Sequence, residues 1–356
     1  MSAYPGTDRE RRVSAEALRG LVAGIFGQLG MTPEDGGLLA DTLVSADLRG
    51  IHSHGVLRVP EYVDKLAAGG VDPRGRPRVV RDAGAVLVVD GGNAMGQVAA
   101  TFAMGRAVER ARTTGVAAAA VRGSNHCGAL EYYARLALPA AMIGVATTNA
   151  LPTMAPWGGL DKIVGINPLA IAVPTASVPP LVLDAAFSGS SHGKIRVYQQ
   201  KGLELPAAWA LDREGRPTTD PAVALDGLLQ PIGAYKGTGL AVMMGILSSV
   251  LSGAAYGTEL GDMVAGPRAG QDGQFLLALS VAAFEDVARF TARTDAVARQ
   301  ILASRPAPGF ERVYPPGHLE AEAEARSRVE GIPLNAVTLE ALAAEARRLG
   351  LDPGSL

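Results

Sequence analysis

Cysteine is almost absent from this chain of 356 residues: Cys127 stands alone, so no disulfide can form within it, and a reducing compartment, the cytoplasm, is expected. An excess charge of either sign is also missing. Lys and Arg number 33 against 35 Asp and Glu, a formal net charge of −2. Such a balance gives no field that would favour nucleic acid or an anionic membrane as partner. The opening stretch MSAYPGTDRERRVSAEA lacks the apolar run of a secretory signal. Lysine is scarce, five against 28 arginines. There is no HExxH, no paired-cysteine spacing and no G-x-G-x-x-G after a strand. The nearest glycine run, VLVVDGGNAMGQVAA (86–100), has the wrong spacing and no acid at the usual distance on a second strand, which argues against a Rossmann domain.

One long segment lacks charge altogether. Gly237 to Thr258 is long enough to cross a bilayer, but it is interrupted by Gly239, Gly245 and Gly253 and by Ser248, Ser249 and Ser252. This composition reads as a buried helix packed closely against neighbours, across a subunit interface, and no membrane partner is expected.

What is present is a hydrophobic content of 48% with 19% charged residues, enough for one large core or two joined domains. Ser14 caps an amphipathic run that ends at Gly30. Thr32-Pro33-Glu34-Asp35 restarts a helix that should reach Leu48, and a third is predicted over 59–68. From about Arg78, β-branched runs at 86–89, 115–121, 168–174 and 179–186 alternate with helical stretches, and after 290 the pattern is helical again. The fold class is therefore mixed α/β. Residues 1–75 and 291–356 would form one helical domain from both chain ends, with a sheet domain, 76–290, inserted between them.

Four of the five histidines, His54, His126, His192 and His318, lie in glycine-containing turns; the fifth is His52. Glycine lets a ligand approach the backbone, and imidazole is the side chain matched to proton transfer near neutrality. Ser53-His54-Gly55 falls just past a predicted helix end, on a connection that a rigid element can position. Two of the five lysines sit in glycine motifs, His192-Gly193-Lys194 and Tyr235-Lys236-Gly237-Thr238-Gly239. The second opens the uncharged helix and makes a plausible phosphate cradle, although an ordinary loop-to-helix joint would read the same way. A rival reading, metal-dependent hydrolysis, would use His52, His54 and His126 as ligands. Cys127 beside His126 reads better as a small apolar residue than as a nucleophile.

Several ordered blocks, among them ADLRGIHSHGVLRVPEYVDKL (46–66), VRGSNHCGALEYYA (121–134), TTNALPTMAPWGG (147–159), GINPLAIAVP (165–174), LDAAFSGSSHGK (183–194) and PIGAYKGTGLA (231–241), resemble the malate/L-lactate/L-sulfolactate dehydrogenase family of non-Rossmann type. The resemblance spans roughly residues 13–350 and implies a homodimer whose sheet domain binds NAD or NADP. It implies His54 as general acid and base, Ser53 as its relay partner, and Arg58 as the anchor of the substrate carboxylate. It also implies cofactor contacts from His126, Cys127, Gly128, Ala129 and Leu130, from Asp184, Ala185 and Ala186, from Lys236 and Gly237, and from the turn Gly317-His318. The substrate would be a small 2-hydroxy or 2-oxo acid such as malate, lactate or sulfolactate; within the same family the alternative is a cyclic imino acid or a diketo sugar acid. No metal is implied. The chain departs from the family pattern at Ile166, where a substrate-binding threonine is common, at Cys127, where an aromatic is commoner, and at His318, where an acid is usual. Lys194 resembles the hydroxyacid-oxidising members, not the imine reductases.

Overall fold

A computed structural model describes residues 10–261 and 270–354; the first nine residues of the stretch read for a signal lie outside them. The helix starts follow the local chemistry of the sequence. Ser14 Oγ accepts from Ala17 N and opens the helix Ala15–Gln28. Thr32 Oγ1 accepts from Asp35 N at 3.1 Å with Pro33 in the first turn of the helix Pro33–Leu48. The third helix runs Val59–Ala67, the last Ala336–Arg348.

One apolar core gathers the two ends of the chain. Leu18, Ile25, Phe26, Leu39, Leu43 and Tyr62 pack with Ile332, Leu334, Leu339 and Leu342. Arg11–Val13 also pairs antiparallel with Ile332–Leu334.

A second core lies on a seven-stranded sheet. In spatial order its strands are Arg78–Ala83, Val86–Asp90, Val116–Ser124, Asp272–Ser280, Met142–Thr148, Leu169–Val173 and Leu181–Ala185. Only the pair Val86–Asp90 and Val116–Ser124 is parallel, joined by the helix Gly96–Thr114; every other neighbour is antiparallel. A Rossmann sheet is parallel, so the expectation of a different architecture is met. Ala99, Ala103, Ala107 and Ala111 recur every fourth residue along that helix and meet Ala117 and Ala119 of the strand, so methyl-sized side chains let helix and sheet approach closely. The helix Val287–Leu302 is tied to the sheet where Asp295 Oδ1 accepts from Ala176 N at 2.9 Å.

The uncharged segment departs from its expected shape. An α-helix covers Tyr235–Gly245 and widens into a π-turn over Ile246–Val250, and the chain turns away at Gly253 with φ +81°. Ser248 and Ser249 hydroxyls donate back to Met244 O and Gly245 O, the competition with the helical ladder that serines bring. The segment is also buried on one side only, since Leu240, Met243 and Val250 are exposed. Among the described residues no helix is long and apolar enough to cross a membrane.

Candidate active site

The site begins where the helix Pro33–Leu48 stops. Ile51 leads into a tight turn, His52–His54, followed by a second over Val56–Arg58. Asp47, 1% exposed, fixes this turn from behind: its carboxylate accepts from Val56 N at 2.7 Å and bonds His52 Nδ1 at 2.8 Å. A methyl on Gly55 would sit 2.1 Å from Asp47 Oδ1, so this position needs glycine for close approach. His52 is thereby a structural partner of Asp47. Among the described residues no three His, Cys, Asp or Glu side chains are grouped to hold a metal ion, so the hydrolase reading finds no geometry.

Ser53 Oγ lies 3.0 Å from His54 Nδ1. Burial, then the charge of Arg58, then His126 hold the His54 imidazole well below its ordinary range, so it is a neutral base at pH 7. Arg58 is 8% exposed and largely committed: Nε donates to Ser53 O at 2.7 Å and Nη1 to Glu61 Oε2 at 2.6 Å. Burial pushes the Glu61 carboxyl up, but Arg58 and Arg196 together outweigh it and hold it below the usual range. The remaining Arg58 nitrogen, Nη2, faces Gly193, where a methyl would come within 2.4 Å.

Opposite His54 lies the loop after the strand Val116–Ser124. The His126 ring stacks on His54, with centroids 5.9 Å apart and planes within 6°. The start of the helix Gly96–Thr114 presses on this loop; a methyl on Gly96 would lie 2.0 Å from Asn125 O. Gly128, Ala129 and Leu130 then line a cleft of about 320 Å³ together with Ser53 and His54. Ile166, Asp184, Ala186, Lys194 and Glu320 complete its functional lining. Asp184 is open to this cleft yet ringed by protein. Desolvation, then Glu131, push its carboxyl up to about 7, while Glu131 N donates to it at 2.8 Å. Lys194 Nζ sits 4.7 Å over the Trp209 ring, and burial lowers its pKa.

The structure thus gathers Ser53, His54, Gly128, Ala129, Leu130, Ile166, Asp184 and Ala186 on one cleft, with His126 stacked on His54. It does not bring the other expected residues to the cleft lining. Cys127 is 1% exposed within the sheet core, and burial pushes its thiol up to about 12, which removes it as a nucleophile. Gly237 and Gly317 stand one layer behind the walls: a methyl would lie 2.8 Å from Phe187 O in the first case and 2.9 Å from Val182 in the second. Lys236 is exposed, His318 is buried at the start of the helix His318–Glu330, and Ala185 ends a strand beside Asp184. Sequence reading missed Glu61, Tyr62, Gln97 and Glu131. Only the buried polar character of Gln97 in an otherwise alanine-rich helix face offered a signal.

Similarity to known proteins assigns this fold and cleft to the dehydrogenases of small hydroxy or oxo acids that use a nicotinamide cofactor. The chain belongs to the malate/L-lactate dehydrogenase family, whose model matches residues 13–343. It is 36% identical over 349 residues to the malate dehydrogenase of Pyrococcus abyssi, covering 96% of this chain and 95% of that one. The structure is similar to that of the sulfolactate dehydrogenase from Methanocaldococcus jannaschii, with TM-score 0.87, 34% identity and coverage of 96% and 98%. It is similar again to the malate dehydrogenase from Entamoeba histolytica, with TM-score 0.92, 29% identity and coverage of 96% and 99%.

Proposed function

We propose that this chain interconverts a small 2-hydroxy acid and its 2-oxo acid, with His54 taking the hydroxyl proton in oxidation and returning it in reduction. The observation that carries this reading is the neutral His54 imidazole, held by Ser53 Oγ at 3.0 Å on the wall of the cleft. Neutral imidazole is a competent base at pH 7, and a hydroxyl on its Nδ1 fixes ring orientation. NAD or NADP would supply or accept the hydride. The small side chains of Gly128 and Ala129 leave room for it, and Asp184, Leu130 and Ala186 would border it.

A cation is needed for the substrate carboxylate. Arg58 stands behind the cleft lining, with Nε on Ser53 O, Nη1 on Glu61 and Nη2 against Gly193, so it would serve the carboxylate only with Nη2 turned toward the cleft. Lys194 lines the cleft directly. A buried ammonium in the cleft favours acids, malate, lactate or sulfolactate, over an imine substrate that is itself protonated. Ile166 gives the pocket an apolar wall where a hydrogen bond is common in the family.

The rest of the proposal concerns organisation. Residues 1–75 and 291–356 are read as one helical domain around the sheet domain 76–290, on the strength of the shared core of the two ends; the boundary falls within the helix Val287–Leu302. The exposed apolar stripe of Leu240, Met243, Ile246 and Val250 suits a homodimer interface. The lone buried Cys127 suits the cytoplasm.

The test is oxidation of NADH and NADPH with a panel of 2-oxo acids, with and without a chelator. Turnover unaffected by chelation is expected, and His54→Ala should reduce it at least about 100-fold with cofactor affinity retained. Near-normal turnover of His54→Ala, or loss of native activity on chelation, would overturn the reading.

A further inference from the structure

We propose that Tyr62 is a positioning residue: with Gln97 behind it, it locks His126 in the tautomer protonated on Nε2, so that this ring offers an N–H donor beside His54. The inference deepens the dehydrogenase reading and rests on it for its purpose, but not for its geometry.

The chain of donors starts at Gln97, which is fully buried in the first turn of the helix Gly96–Thr114. Its Nε2 lies 3.1 Å from the Tyr62 hydroxyl. With the amide nitrogen facing Tyr62 the phenol oxygen is the acceptor of that bond, and Gln97 Oε1, on the other side, is buried without a hydrogen-bond partner. A phenol has one proton, and the Tyr62 hydroxyl lies 2.7 Å from His126 Nδ1. The phenol proton therefore goes to His126, and Nδ1 must present its lone pair. Tyr62 is 1% exposed and burial raises its pKa, so the phenol stays protonated.

The ring stays neutral as well. Burial, Arg58 and Lys65, in that order, push His126 down to about 3. A neutral imidazole with a bare Nδ1 carries its proton on Nε2. With Gln97 Nε2 on the phenol oxygen, the opposite tautomer would set two N–H groups on that oxygen and leave the phenol proton without an acceptor.

His126 and His54 then form a matched pair. Both rings are held at Nδ1 by a hydroxyl, Tyr62 in one case and Ser53 in the other, and they lie parallel within 6°. His54 exchanges a proton, while His126 is fixed as a donor that does not titrate near neutrality. A permanent neutral N–H suits an uncharged carbonyl oxygen, the chemistry of the carboxamide on a nicotinamide ring.

The experiment reads the tautomer directly. Protein labelled with ¹⁵N-histidine, without cofactor or substrate, is examined by long-range ¹⁵N–¹H correlation at pH 7, with His126 assigned by its loss in His126→Asn. The native ring should be the Nε2–H form. In Tyr62→Phe the two forms should become mixed, and the dissociation constant of NADH, read by fluorescence, should rise about tenfold. Gln97→Glu is nearly isosteric and replaces a donor by an acceptor. It should draw the phenol proton to residue 97 and turn His126 into the Nδ1–H form. A native Nδ1–H ring, or a Tyr62→Phe ring that keeps a single pure tautomer, would overturn the proposal. Because the spectrum needs no turnover, failure of the dehydrogenase reading would appear separately, as an inactive protein whose tautomer is as expected.

Discussion

Arg49 and Glu131 form a buried ion pair, each side chain 4% exposed, between the residue that leads into the His54 turn and the residue that closes the 126–130 loop. Arg49 Nε donates to Glu131 Oε1, while Nη1 donates to Glu324 Oε2 at 3.0 Å. Both halves of the cleft, and the helix His318–Glu330, are therefore pinned at one guanidinium. Removing Glu131 leaves the buried Arg49 with only Glu324 as its counter-charge. Glu131→Gln should lower stability by about 3 kcal/mol in urea unfolding. Arg49→Met combined with Glu131→Leu should recover most of that loss. A double variant as unstable as the single one would show that the pair does more than neutralise itself.

Ile166 presents an apolar wall to the cleft. Ile166→Thr adds one hydroxyl there, and kcat/KM for acids bearing a second polar group should rise about fivefold relative to lactate. An unchanged substrate profile would remove Ile166 from the specificity determinants.

The helix stripe makes a prediction about assembly. Met243 and Val250 are 56% and 58% exposed on the uncharged run that begins at Gly237. Met243→Asp together with Val250→Asp should halve the mass in sedimentation velocity at micromolar concentration. A native protein that is already monomeric there would refute the interface.

Four groups held off their ordinary values by the surrounding protein set opposing pH dependences. The folded state holds His126 at about 3 and His54 well below 6.5, so between those values and 6.5 the unfolded chain binds more protons, and stability falls as pH falls. Asp184 at about 7 and Asp272 at about 6 act the other way: from about pH 4 up to those values the folded state binds more protons, and stability falls as pH rises. The two pairs nearly cancel between roughly pH 4 and 6. Urea midpoints of the native protein should be flat there, whereas Asp184→Asn should lose stability toward acid. A variant as flat as the native protein would contradict these shifts.

The helix starts at Ser14 and Thr32 were legible because capping is local chemistry. The strand Asp272–Ser280 was not: it lies between two strands at the middle of the sheet, and a short continuous apolar run such as FLLAL carries no period that separates strand from buried helix. The Ser53-His54 turn was legible from glycine and histidine together. Tyr62 and Gln97 were not, because their partnership with His126 joins positions 64 and 29 residues from it, across three different elements. At Gly237 a methyl would lie 2.3 Å from Ile232 O and 2.8 Å from Phe187 O, a close approach whose sequence signature is the same for packing as for a phosphate loop.

Lys194 over the Trp209 ring has a practical consequence. With five lysines in the chain, reductive methylation with ¹³C-formaldehyde would give a spectrum of only a handful of signals. The indole ring current, acting at 4.7 Å, sets the Lys194 resonance apart from the exposed Lys162 and Lys236. The cleft thus carries its own reporter, and a titration of candidate acids could be followed at a single peak without any catalysis taking place.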